Sequence, residues 1–155
     1  MTDAIYKQNE DQVKALYKFL LDSWNKNDAN SFAKLFSKDG DVVGFDGSQM
    51  KGPSQIESEL KQIFINHKVS SYVSIVREIR PLSSSIYLLR AVAGMVAQDK
   101  KEINPKVNAI QTLIVYKEND EFKIALFQNT PAAFHGREQL SSQLTEELQE
   151  VLNQQ

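Results

Sequence analysis

Glu121-Phe122-Lys123-Ile124-Ala125-Leu126-Phe127-Gln128-Asn129-Thr130-Pro131 reads as a β-strand that ends on two amides and a hydroxyl just before a proline stops the ladder. A simple strand would pass into a turn instead, so hydrogen-bonding demand is expected near this end. Upstream, Val69 to Pro81, Ser85 to Gln98 and Lys106 to Lys117 are three more long β-like runs, and with Phe122 to Asn129 they predict a meander of antiparallel strands. Glu118-Asn119-Asp120-Glu121 reads as a hairpin turn and Asp99 to Asn104 as a longer polar loop. In Val107 to Tyr116, apolar side chains occur on both parities, so both faces of this sheet need cover.

Two flanks supply candidates for that cover. Downstream, Leu140, Leu144, Leu148, Val151 and Leu152 fall at helical spacing and predict an amphipathic helix over about 138–153. Toward the start, Val13, Leu16, Tyr17, Leu20 and Trp24 form one helical face between Glu10 and Lys26. Asn27 or Asp28 can cap a short second helix whose stripe is Phe32, Leu35 and Phe36. Asp41 to Asp46 is strand-like, Asp46-Gly47 is a hairpin signal leading to Gln49-Met50-Lys51, and Gly52-Pro53-Ser54 opens a third helix carrying Ile56, Leu60, Ile63 and Phe64. Three helices cover one face of the sheet. The other falls to the C-terminal helix or to a second copy of the chain, and one short helix is too small for four long strands, so a homodimer is expected.

The whole chain, 1–155, is expected to form one domain, with an ordinary apolar fraction of 41%. A net charge of -2 with interspersed signs leaves no basic stripe for phosphates, so no nucleic-acid partner is expected. No membrane segment or leader is read, and with no cysteine the expected location is cytoplasmic. Two histidines far apart, without clustered acids, predict no dedicated metal site, and no cofactor is expected.

The order helix, helix, hairpin, helix, meander, together with Trp24 to Asp28, Phe32 to Phe36, Asp39 to Gly47, Gly52 and Phe122 to Thr130, resembles the nuclear transport factor 2-like superfamily, also called the cystatin-like cone. Gln128-Asn129-Thr130-Pro131, Phe134-His135-Gly136-Arg137 and Leu144-Thr145-Glu146-Glu147-Leu148 look like its SnoaL-like group of small bacterial proteins labelled SgcJ/EcaC. The resemblance implies an α+β cone: a curved antiparallel sheet wrapped around N-terminal helices, plus a C-terminal helix, an internal apolar pocket and dimers formed sheet to sheet. Relatives range from ketosteroid isomerases and polyketide cyclases to association domains, so function has to be read from the site.

The ketosteroid isomerase pattern needs a carboxylate base, a helix tyrosine and a protonated acid. Here Gly44 stands where the base belongs, Leu20 where the tyrosine belongs, and Ile110 to Leu113 contains no acid. Asp46 shares parity with Gly44, and Tyr17 lies one turn from Leu20, which leaves a shifted constellation open.

Arg90, and less so Arg77, reads either as a clamp for an anion or carbonyl or as one half of an ion pair with Glu78, Glu57 or Asp46. His67 reads as a solvated helix end, while His135 reads as a catalytic candidate or a turn residue. Trp24 and Phe45 read as core or as ligand platform, and Asn108 and Gln128 as paired amides on neighbouring strands. The expectation is a protein that binds a small hydrophobic molecule through Trp24, Phe45, Arg90, Asn108 and Gln128. The alternatives are a cofactor-free isomerase, cyclase or lyase acting on a hydrophobic carbonyl compound through Asp46 or His135, and a non-enzymatic dimerisation domain.

Overall fold

The computed structural model describes residues 3–155. Helix α1 (Asp3–Asn25) begins earlier than its apolar stripe, and Asn9, Val13, Tyr17, Leu20 and Leu21 form its buried face. Asn27, at φ 57, turns the chain, and the Asp28 side chain accepts the Ser31 N–H at 3.0 Å to cap α2 (Ala29–Lys34).

Strand β1 (Phe36–Val43) starts where the second helix was expected to continue. Phe36 leaves the helical stripe because the Leu35 carbonyl accepts the Ile124 N–H at 2.9 Å and Phe36 pairs in parallel with Ile124. A bulge follows at Gly40, where a Cβ would overlap the Ile124 carbonyl oxygen, so glycine is required there. The Asp46-Gly47 turn leads into β2 (Gln49–Lys51), and α3 (Gly52–Asn66) follows at once with Pro53 in its first turn. His67 is its C-terminal capping residue, as read.

Strands β3 (Ser71–Pro81), β4 (Ile86–Val96), β5 (Ala109–Glu118) and β6 (Glu121–Pro131) form the expected antiparallel meander. Lys106 and Val107 belong to a single 3-10 turn rather than to the strand. The order in the sheet is β2-β1-β6-β5-β4-β3, with β1 parallel to β6 and every other pair antiparallel.

Strand parity divides the sheet into two faces. Tyr87, Leu89 and Ala91 of β4, Leu113 and Val115 of β5 and Phe127 of β6 point inward onto α1, α2 and α3, and form the main core. Val73, Val92 and Val96 point outward and are covered by Leu144 and Leu148 of α4 (Glu138–Asn153) together with Ile103. Burying two leucines contributes roughly 2–3 kcal/mol each before entropy is counted. Gly94 allows this seat, since a Cβ there would come within 2.9 Å of Leu148 and 3.0 Å of Ile103. Arg77 adds a two-pronged ion pair to Glu147 of α4 at 3.0 and 3.1 Å, which holds the Glu147 carboxyl below its usual range. Among the described residues, no helix is long and apolar enough to cross a membrane.

Candidate functional site

Between the inner face of the sheet and the helices lies a cavity of about 620 Å³. Its wall is mostly carbon: Trp24 from α1, Phe32 from α2, Leu60 and Ile63 from α3, Met50, Tyr72, Met95 and Phe127 from four strands, and Phe45 from the β1–β2 turn. Trp24 meets Phe64 edge-on at 5.2 Å and Tyr72 at 5.5 Å, and its indole N–H donates to the Ser70 carbonyl at 2.9 Å. That bond holds the ring as part of the wall.

One polar side chain of the wall reaches deep into the fold. Asn129 of β6 is 8% exposed and stands opposite Gln111 of β5, which is fully buried, because both occupy the same ladder position. The Tyr17 hydroxyl donates to Gln111 Oε1 at 2.5 Å, and Gln111 Nε2 donates to Asn129 Oδ1 at 2.7 Å. Burial pushes the Tyr17 phenol well above its ordinary 10.0, against a smaller opposing effect of the Ser74 hydroxyl. Tyr72 is pushed up to about 12 by desolvation, so both phenols keep their protons at neutral pH.

The charged groups of the lining sit at the mouth: Asp46 and Glu59, both exposed. Asp46 Oδ1 accepts the Ser48 N–H at 2.9 Å, and this backbone bond holds the carboxyl below its usual range. Such a carboxylate stays ionised and is a weakened proton acceptor. Among the described residues, no group of three or more histidine, cysteine or acidic side chains could hold a metal ion. A larger groove of about 830 Å³ runs along α1, the β3 edge and the end of α4. It is edged by the exposed Lys14, Lys18, Lys100 and Gln155 and its lining is much more polar than that of the smaller space, so the apolar cavity is the candidate site.

Of the residues singled out from the sequence, Trp24, Phe45 and Asp46 line this cavity. Arg90, Asn108 and Gln128 do not: ladder parity places Arg90 and Gln128 on the outer face, and Asn108, just before β5, turns to α4. Arg90 stands opposite Glu78, pairs with its carboxylate at 3.6 Å, and leaves 43% of its side chain exposed. Asn108 is spent on α4, donating to Thr145 Oγ1 at 2.9 Å, and Gln128 lies opposite Thr112. These two were expected to pair with each other; the amides that do pair are Gln111 and Asn129, each on the inner parity. His135 is exposed in the turn before α4, at φ 45, away from the cavity wall. The missed signal was parity: Gln111 shares its parity with Leu113 and Val115, and Asn129 with Phe127, all of them buried. Tyr17, one turn before the fully buried Leu20, supplies the helix hydroxyl.

This arrangement, helices closed over one face of a six-stranded curved sheet, is the cystatin-like or NTF-2-like α+β fold. A domain of unknown function with a cystatin-like fold from Nostoc punctiforme superimposes with a TM-score of 0.76 at 22% identity, over 92% of this chain and 86% of that one. A Novosphingobium aromaticivorans protein with the provisional name scytalone dehydratase superimposes with a TM-score of 0.70 at 14% identity, over 84% of this chain and 89% of that one. A Thiobacillus denitrificans protein with the provisional name calcium/calmodulin-dependent protein kinase type II association domain gives 0.67 at 8% identity, over 76% and 93%. No protein-family model and no curated protein sequence matches the chain.

Proposed function

We propose that this protein binds a small, largely apolar molecule in the cavity between Trp24, Phe45 and β6. The observation that carries the reading is the cavity itself: about 620 Å³ walled by aromatic, Leu, Ile and Met side chains, with Asn129 as a buried polar group. That combination of a carbon wall and a buried polar anchor is what small-molecule pockets use. The isomerase, cyclase or lyase reading is less well supported, since Asp46 sits at the rim and spends an oxygen on Ser48. His135 and Arg90 lie elsewhere, so a proton-transfer pair does not face the bound molecule.

In the same reading the protein works as a homodimer in the cytoplasm. Helix α4 covers the β3–β4 side of the outer face, while Ile114 of β5 and Leu126 of β6 lie half-buried on the same face. A second copy using the same patch closes both faces with one two-fold contact, and the association-domain name of the Thiobacillus protein accords with assembly through this fold.

The test is the melting midpoint of the protein against a panel of neutral aromatic compounds, for wild type and for Met95→Trp, which fills the cavity. A ligand at about 100 times its Kd adds about 2.7 kcal/mol of stability. The expected result is a shift in wild type that Met95→Trp abolishes; equal shifts in both proteins place the binding elsewhere.

A further inference from the structure

The hydrogen-bond chain behind the cavity has a direction. At 2.5 Å, the contact between the Tyr17 hydroxyl and Gln111 Oε1 has the length of an O–H···O bond and is too short for an N–H donor. The Gln111 oxygen therefore faces Tyr17, and its nitrogen faces Asn129 at 2.7 Å. Asn129 must receive that bond on Oδ1. Its Nδ2 is left with two protons and makes no hydrogen bond to any described residue, yet it is not sealed off as an orphan: the buried side-chain atom without a partner is Asn108 Oδ1, on the other face. Asn129 is one of the residues of the cavity wall.

The charge of the lining narrows the ligand further. Among the described residues, the ionisable groups of the wall besides Tyr72 are Asp46 and Glu59, and no lysine or arginine lines the cavity. An anionic ligand would pass two carboxylates at the mouth and find no counter-charge inside.

Resting on the binding reading above, we infer that the cavity selects a neutral apolar molecule bearing a hydrogen-bond acceptor of carbonyl type, which accepts from Asn129 Nδ2, with the donor set by the Tyr17–Gln111 pair behind it. Asn129 is a specificity residue in this scheme; Tyr17 and Gln111 position it.

Benzophenone, diphenylmethane and 4-benzoylbenzoate differ in the required feature while sharing a shape. Their dissociation constants are measured by titration calorimetry on wild type and on Asn129→Leu. In wild type, the ketone is expected to bind about tenfold more tightly than diphenylmethane, the worth of one hydrogen bond to a desolvated donor, and the benzoate more weakly than the ketone. In Asn129→Leu, the ketone and the hydrocarbon are expected to bind alike. Equal binding of ketone and hydrocarbon to wild type overturns the acceptor assignment while leaving the pocket intact, without reliance on any variant. A ketone preference that survives in Asn129→Leu overturns the role of Asn129, and benzoate binding as tight as the ketone's overturns the neutral-ligand claim. Failure of all three probes to bind wild type overturns the binding reading itself.

Discussion

Tyr17 and Gln111, 94 residues apart in the chain, meet hydroxyl to amide oxygen at 2.5 Å with both side chains almost fully buried. This contact ties the first helix to the middle of the sheet and orients the amide that orients Asn129.

Removing the hydroxyl leaves a buried acceptor unpaired. Tyr17→Phe is expected to lower stability by about 1–3 kcal/mol in chemical denaturation, more than an exposed tyrosine-to-phenylalanine change. An unchanged midpoint would show that the bond contributes nothing.

Stability should also fall in alkali. Tyr17 and Tyr72 both have folded-state pKa values raised above 10.0, so the folded chain holds protons that the unfolded chain releases. Their contribution is intact below pH 10 and declines as pH rises from 10 toward 12 and beyond. The measurement is the unfolding free energy across that range; Tyr17→Phe should show a shallower decline than wild type.

Helix α4 is expected to be integral to stability. Leu148→Ala should cost about 2–5 kcal/mol by emptying its seat, and truncation after Gly136 several kcal/mol. Gly94→Ala presses on the same seat from the sheet side and should cost about 1–3 kcal/mol. Calorimetric midpoints equal to wild type in these variants would mean that the helix is not docked there.

Arg90→Ala and Asp46→Asn are expected to leave ligand-induced melting shifts within experimental error of wild type, since Arg90 is on the outer face and Asn can keep the turn made by Asp46. A lost shift in Arg90→Ala would return that residue to the site, and a lost shift in Asp46→Asn would make the rim carboxylate a direct ligand contact.

Sedimentation equilibrium at micromolar concentration should give a dimer burying more than about 1,000 Å² in total, and Ile114→Lys a monomer. A wild-type monomer would contradict the assembly.

The helices and strands were legible because their apolar periods are long: Val13 to Trp24 marks one helical face, and four β-runs separated by turn residues mark the meander. Two things were not legible. The parallel pairing of β1 with β6 is a long-range choice that moved Phe36 from a helix stripe into a strand. The second was face: where a strand is apolar on both parities, nothing local says which one points inward, and a one-residue difference separates Gln128 on the outside from Asn129 on the inside. The sequence indicated that amides cluster at the end of β6; it did not indicate that Gln111 is their partner.

Strand β6 lies between β1 and β5, and its Ile124 carbonyl receives the Ser37 hydroxyl across 87 residues of chain. During synthesis, β1 therefore emerges long before the strand it pairs with, and α1, α2 and α3 are complete while their main apolar partner does not yet exist. Loop closure over that span precedes any reward from the β1–β6 pairing, which makes this last zipper slow relative to the helices and the local hairpins. The same topology that puts β6 inside the sheet makes the apolar cavity among the last features of the molecule to form.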